Sequence, residues 1–260
     1  MDTCSYFIKD KALFGSFPSE IAVKELEDNG VRYFVNLTHD DEDKIKQYQT
    51  NYQTITYTIK DRSIPTNLES FTQFIIHIGS IIRNLDKEKV YIHCKGGHGR
   101  SGLVVACLIC YIFKLSAYEA LNYTSKCHNN RSVMRDKWRK IGSPQTYLQK
   151  RFVHQLFRPI NFARMYKGVF SLYSSELKFS TDKGVSFFES IHEGVKENNL
   201  PLKLLYEQKI VQHEDLREFL YHTYLKPIVS YDNNNDISRE ICEILCDIRH
   251  RMYFEKNLTN

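Results

Sequence analysis

The stretch Val90-Tyr91-Ile92-His93-Cys94-Lys95-Gly96-Gly97-His98-Gly99-Arg100-Ser101-Gly102 decides the fold. Val90 to His93 has the character of a short buried strand, and Ser101 to Phe113 that of a strongly apolar helix. The loop between them is therefore a strand-to-helix connection, the kind of junction where layered α/β folds place ligand chemistry. Its glycines, Gly96, Gly97 and Gly99, remove side chains that would block a tight curve. Successive backbone N–H groups and the helix N-terminus can then face a phosphate dianion. The same positive potential favours the thiolate of Cys94, which makes it a nucleophile. Arg100 supplies a planar guanidinium able to hold two equatorial phosphate oxygens, a fit that lysine cannot match. Ser101 is placed to stabilise the thiolate as it leaves a phosphoenzyme.

Outward from this loop, strands and helices alternate. A helical pattern from Pro18 to Asn29 stops at Gly30, a plausible C′ residue, and Val31 to Leu37 is rich in β-branched and aromatic residues. The acidic run Asp40 to Asp43 reads as the start of a short polar helix, and Gln53 to Ile59 alternates as a strand does. Thr66 and Glu69 have capping-box spacing ahead of a long helix through Leu85. From about residue 166 the texture changes, with Ser/Tyr-rich connections at Ser171 to Ser175, a polar turn at Asn198-Asn199 and an Asn/Asp cluster from Asp232 to Asp236. A boundary near Arg164 follows, giving a domain over 1–164 and a second region over 165–260. Asp236 is expected to cap a final helix with Ile237, Ile241, Ile244, Leu245 and Ile248 on one face.

Composition narrows the class. The 260 residues can bury one good core and a second small one. No window approaches the roughly 18 apolar residues of a membrane span, and the first residues lack the features of a signal peptide, so a soluble intracellular protein is expected. Seven unevenly spaced cysteines fit a reducing compartment, where Asn36-Leu37-Thr38 would go unglycosylated. Cys107 and Cys110, like Cys242 and Cys246, read as core positions rather than zinc ligands, since no partnering pair has sensible spacing. The net charge of +5 suits anionic substrates but does not imply nucleic acid.

His93-Cys94-x-x-Gly97-x-x-Arg100-Ser101-Gly102 resembles the active-site signature of the protein tyrosine phosphatase superfamily. The likeness extends over roughly residues 10 to 157, through Gly15, Gly30 to Thr38, and the Met134 to Gln149 segment with its Gln145-Thr146 pair. It implies an α/β fold, a central mostly parallel sheet flanked by helices, with a mainly helical C-terminal appendage. By this resemblance Cys94 is the nucleophile, Arg100 the phosphate clamp, and Lys95, Gly96, Gly97, His98, Gly99 and Ser101 line the substrate, supported by His93. Asp61, 33 residues before Cys94, resembles the general acid of the compact dual-specificity branch, although the Trp-Pro-Asp triplet of the other main branch is absent. Asp40 and Asp43 are poorer candidates because they sit in an acidic surface run. Gln145 or Gln149 would orient the water that hydrolyses the cysteinyl-phosphate.

No metal or cofactor is required by this chemistry. Phosphorylated protein is the first substrate choice. Lys95 and His98, read as cations at the loop mouth, resemble members that accept phosphoinositides or multiply phosphorylated peptides. RNA 5′-triphosphatase activity is disfavoured because Gly99 stands where those relatives carry an Asn before the Arg, and nucleic acid is not expected as a partner because the charge excess is small. A phosphate-reading module without catalysis is the competing class, and retention of Cys94, Asp61 and Arg100 argues against it. The compact enzyme with a diverged appendage also resembles phosphatases of large DNA viruses, which extends the expected compartment to a host cytoplasm.

Overall fold

The computed structural model describes residues 2–39, 41, 42, 45, 47–162, 177–181, 184–188, 201–231 and 236–258. The expected boundary at Arg164, the connections at Ser171 to Ser175 and Asn198-Asn199, the cluster residues 232–235, and Asp40 and Asp43 all lie outside the described residues. Two compact units are present, Met1–Phe157 and Arg158–Asn260.

The first unit runs β1 (Cys4–Ile8), β2 (Ala12–Ser16), α1 (Glu20–Asp28), β3 (Val31–Asn36), β4 (Gln53–Thr56), α2 (Leu68–Asn84), β5 (Lys89–Cys94), α3 (Arg100–Phe113), α4 (Ala117–Asn129), α5 (Asp136–Ile141) and α6 (Tyr147–Leu156). The strands form one sheet in the order β1-β2-β5-β3-β4. Only β1 is antiparallel to its neighbour; β2, β5, β3 and β4 run parallel. Side chains alternate across such a sheet, so one row faces one way and the next row the other. Leu13, Tyr91 and Phe34 share a row and pack with Val23 and Leu26 of α1. Phe14, Ile92 and Val35 form the next row and are fully buried on the face that α3 covers. Each large apolar side chain buried this way contributes about 1.5–3 kcal/mol relative to exposure. Leu103 to Ile109 of α3 are all wholly buried, as the apolar run predicts.

Local signals account for most of the boundaries. The Ser19 hydroxyl accepts the Ala22 N–H at 3.3 Å to start α1, and Gly30 ends the helix at φ 91°. Helix α2 is capped differently from the expectation. Asn67, not Thr66, is the cap, its Oδ1 accepting the Ser70 N–H at 2.9 Å. The β4 ladder stops at Thr56 rather than Ile59, although Tyr57 and Ile59 still donate to Asn36 and Leu37 carbonyls. Residues 41, 42 and 45, the described residues where a short polar helix is expected, are not helical.

The register matters most for function. Ser16 lies opposite Cys94, Asn36 opposite His93, and Thr56 opposite Asn36. The chain leaving β2, β3, β4 and β5 therefore emerges at one edge of the sheet, the carboxyl edge where parallel sheets bind ligands.

The second unit contains β6 (Ile160–Asn161) paired with β9 (Ile228–Val229), the hairpin strands β7 (Leu177–Thr181) and β8 (Gly184–Phe188), and helices α7 (Leu202–Gln212), α8 (Glu214–Tyr221) and α9 (Asp236–Leu258). Its core joins Leu205, Ile210, Leu216 and Leu220 to Ile241, Ile244, Leu245 and Ile248 of α9. Ile237 departs from the expected apolar face and is exposed, and Asp236 is the first helical residue rather than the cap. Cys107, Cys110 and Cys242 are buried, and none of the seven cysteines, all of them among the described residues, forms a disulfide. Among the described residues, no helix is long and apolar enough to cross a membrane.

Candidate active site

Cys94 is the last residue of β5, and Arg100 is the first of α3. The five residues between them make the predicted loop. The Cys94 thiol donates to Ser101 Oγ at 3.6 Å, and the same hydroxyl would be the donor to a thiolate in that place. Gly97 has φ +71°, and a Cβ there would sit 2.4 Å from the Gly15 carbonyl carbon and 2.5 Å from the Ser16 nitrogen. The loop thus rests directly on the backbone end of β2. Gly97→Ala should cost about 2–4 kcal/mol, from the left-handed backbone and the clash together. Thermal unfolding and inorganic phosphate binding check this: a lower Tm and at least about 10-fold weaker binding are expected, and a variant matching wild type in both would contradict it.

Arg100 is 1% exposed, an extreme for a cation, and the cost of burying it is met by specific partners. Glu42 takes both terminal nitrogens: its Oε1 bonds Nη1 and its Oε2 accepts from Nη2 at 3.0 Å. Nη1 also donates to the Ile59 carbonyl at 3.0 Å, and Nη2 lies 3.2 Å from Asp61 Oδ1. Nε is buried and makes no hydrogen bond among the described residues, so one donor of the guanidinium is left for an anion in the loop. Burial would raise the Glu42 carboxyl, but the Arg100 bond, the His39 N–H and the charges of Arg100 and Lys95 outweigh it and hold it below the usual range. Glu42 went unread in the sequence because it stands inside an acidic run that looks solvated.

Asp61 sits in a tight turn in which the Ser63 N–H donates to the Lys60 carbonyl at 3.0 Å. Arg62, next to it, has φ +58°, a left-handed conformation that costs a non-glycine residue on the order of 1–2 kcal/mol. The turn is held from both sides, by Arg100 at the Ile59 carbonyl and by Gln149 Nε2, which donates to the Ser63 carbonyl at 3.1 Å. Gln149 is wholly buried, and its Oε1 accepts the Thr146 N–H at 3.1 Å in a capping box at the start of α6. Both ends of its amide are therefore engaged. Gln145 is partly exposed beside the loop, where a Cβ on Gly99 would lie 3.5 Å from its own Cβ.

The histidines depart from the expectation. His98 is not a cation at the loop mouth: its ring stacks on Trp138 at 4.5 Å, and Nδ1 shares a 2.8 Å hydrogen bond with His128 Nε2. Burial, with the nearby His128 and Arg131, pushes its pKa down to about 3, and burial brings His128 to about 4, so both rings are neutral near pH 7. Only Lys95 is exposed at the mouth as expected, beside the exposed Gly96. His93 is fully buried and bonded to the Tyr48 hydroxyl at 2.8 Å, and burial lowers its pKa to about 3.

Arg131 also escaped the sequence reading. It is buried behind the loop and donates to the Gly97 carbonyl at 2.8 Å and the Phe14 carbonyl at 3.0 Å, tying the loop to β2. The Ser143 hydroxyl adds a third brace, donating to the His98 carbonyl at 2.7 Å. No local pattern marks either residue, since each acts on a segment more than 30 positions away.

A family profile described as "Swiss Army Knife protein, DSP-PTPase phosphatase domain" matches residues 2–153. The inferred tyrosine phosphatase 067L of Invertebrate iridescent virus 3 is 38% identical over 160 residues, covering 60% of this chain and 66% of its own length. Its counterpart 197R of Invertebrate iridescent virus 6 is 40% identical over 167 residues, covering 60% of this chain and 57% of its own. The chain thus spans less than two thirds of either viral relative. Among solved structures, Tk-PTP in its active form is 21% identical with a TM-score of 0.44, covering 59% of this chain and 97% of that one. PTPMT1 in complex with PI(5)P is 20% identical with a TM-score of 0.42, covering 59% and 96%. Because the profile extends over the whole five-stranded sheet, the loop at its carboxyl edge and the helix that follows, this chain belongs to the dual-specificity-type protein tyrosine phosphatase family.

Proposed function

We propose that the first unit hydrolyses phosphomonoesters, with phosphorylated protein side chains as the first substrate class, through a cysteinyl-phosphate intermediate. The observation that carries this reading is the buried Arg100 Nε, without a hydrogen bond among the described residues, at the end of a glycine loop that begins after a cysteine and runs into a helix N-terminus. In the first step Cys94 Sγ bonds phosphorus, the bond from phosphorus to the leaving oxygen breaks, and Asp61 gives its proton to that oxygen. In the second, water attacks phosphorus, its proton passes to the Asp61 carboxylate, and the sulfur–phosphorus bond breaks to return the thiolate. Ser101 steadies that thiolate, and Gln145, with its amide not tied into a capping box, orients the water.

A phosphate using the Nε and Nη2 edge of Arg100 would take over the place Asp61 Oδ1 holds at 3.2 Å. Substrate binding in this reading moves Asp61 off the guanidinium and toward the leaving group. Phosphoinositides are the second substrate class, supported by the exposed Lys95 at the mouth and the net charge of +5.

The test is hydrolysis of a small aryl phosphate in the presence of a chelator, followed by a panel of phosphotyrosine, phosphoserine and phosphothreonine peptides, phosphoinositides and RNA 5′-triphosphate. Turnover with preference for the peptides is expected. Phosphate binding without turnover would replace this reading with a binding module, and preference for the lipid would replace the substrate class.

A further inference from the structure

Gln149 bridges three pieces of the site that the sequence keeps apart. Its Oε1 accepts the Thr146 N–H, its Nε2 donates to the Ser63 carbonyl, and its amide lies against Gly99, where a Cβ would be 3.1 Å from both Nε2 and Oε1. The orientation of the amide is fixed by chemistry, because an N–H can only donate and a carbonyl can only accept. The Ser63 carbonyl belongs to the turn that carries Asp61 and the left-handed Arg62. A strained turn keeps its shape only where its surroundings hold it there. Arg100 holds it at Ile59 and Gln149 holds it at Ser63, one bond on each side of Asp61.

We infer that Gln149 is a positioning residue for the general acid: it fixes the Asp61 turn above the phosphate loop and does not orient the hydrolytic water. The inference rests on the reading of Asp61 as the acid. A misplaced acid slows departure of a poor leaving group far more than of a good one, whereas damage to the phosphate loop slows both alike. The ratio of kcat/KM for phenyl phosphate to kcat/KM for p-nitrophenyl phosphate, which reports the steps up to departure of the leaving group and not the shared hydrolysis of the phosphoenzyme, isolates the first effect.

Two variants remove the pin differently. Gln149→Glu keeps an acceptor for the Thr146 N–H, since Glu is itself a capping-box residue at this position, but presents no donor to Ser63. Gln149→Met is neutral and removes the donor without adding a charge beside the loop. In the full chain, both should lower the ratio by about 10-fold, as expected for a catalytic group shifted by a fraction of an ångström. Asp61→Asn is measured alongside. An unchanged ratio in both Gln149 variants while Asp61→Asn lowers it overturns the positioning role and leaves the acid assignment standing. A fall in Gln149→Glu alone traces the effect to the added charge and also overturns it. An unchanged ratio in Asp61→Asn removes the acid assignment, and this inference with it.

Discussion

Cys94→Ser leaves a folded protein that binds inorganic phosphate and no longer turns over aryl phosphates. The serine hydroxyl is a close match in size, sits at the same buried strand end, and keeps the Ser101 hydroxyl as neighbour. A serine hydroxyl is a far weaker nucleophile than a cysteine sulfur, and so it does not open the first step. The expected loss in kcat is on the order of 10⁴-fold or more, the scale seen when a covalent nucleophile is removed. Calorimetric binding of phosphate, which depends on the loop and Arg100, should stay within about three-fold of wild type by the same separation of binding from chemistry. Turnover of the variant at anything near the wild-type rate would show that Cys94 forms no bond to phosphorus.

Asp61→Asn has the second largest effect, and its size depends on the substrate. Asparagine retains the shape and ends both the proton transfer and the ion pair with Arg100 Nη2. For a poor leaving group such as phenolate, kcat/KM, which does not include the shared hydrolysis step, should fall by about 10²- to 10⁴-fold, the usual worth of a positioned acid. For p-nitrophenolate, which leaves without protonation, the loss should be much smaller. Phosphate binding should strengthen or hold, because a carboxylate no longer shares the guanidinium with the incoming dianion. Equal losses on both leaving groups would reject Asp61 as the acid; the carboxylate paired with Arg100 through both terminal nitrogens, Glu42, would then be the next residue to replace.

The two residues that define the loop were legible because their relation is local. Cys94 and Arg100 are separated by a glycine loop, and the apolar runs on either side dictate a strand and a helix whatever the rest of the chain does. The same holds for α1, whose Ser19 cap and Gly30 stop are written in adjacent residues, and for the apolar face of α9 apart from Ile237. Where a local signal had a close competitor, it misled: Thr66 and Asn67 can each cap a helix, and the Asn67 Oδ1 bond to Ser70 won.

Charge was harder to read than pattern. His98 looked like a rim cation because a histidine between two glycines carries no hint of its neighbours, yet Trp138 and His128 enclose it and burial keeps it neutral. Glu42 looked like one more solvated acid in an acidic run, yet it is the principal partner of a guanidinium 58 residues away. In each case the side chain's protonation or pairing is set by desolvation and by charges brought in from elsewhere, which residue type and spacing do not encode.

The sequence by itself determined the strand-loop-helix unit, the cysteine and arginine placed on it, and the alternation that makes a parallel sheet. Tertiary structure alone decided what surrounds them: that the chain leaving β3 passes beside the loop leaving β5, so that Glu42 meets Arg100, and that Arg131, Ser143 and Gln149 brace the loop and the Asp61 turn. The physical reason is one of range. Backbone propensity and periodicity act over a few residues, whereas hydrogen bonds and charge pairs form wherever strand register brings two distant segments to the same edge of the sheet.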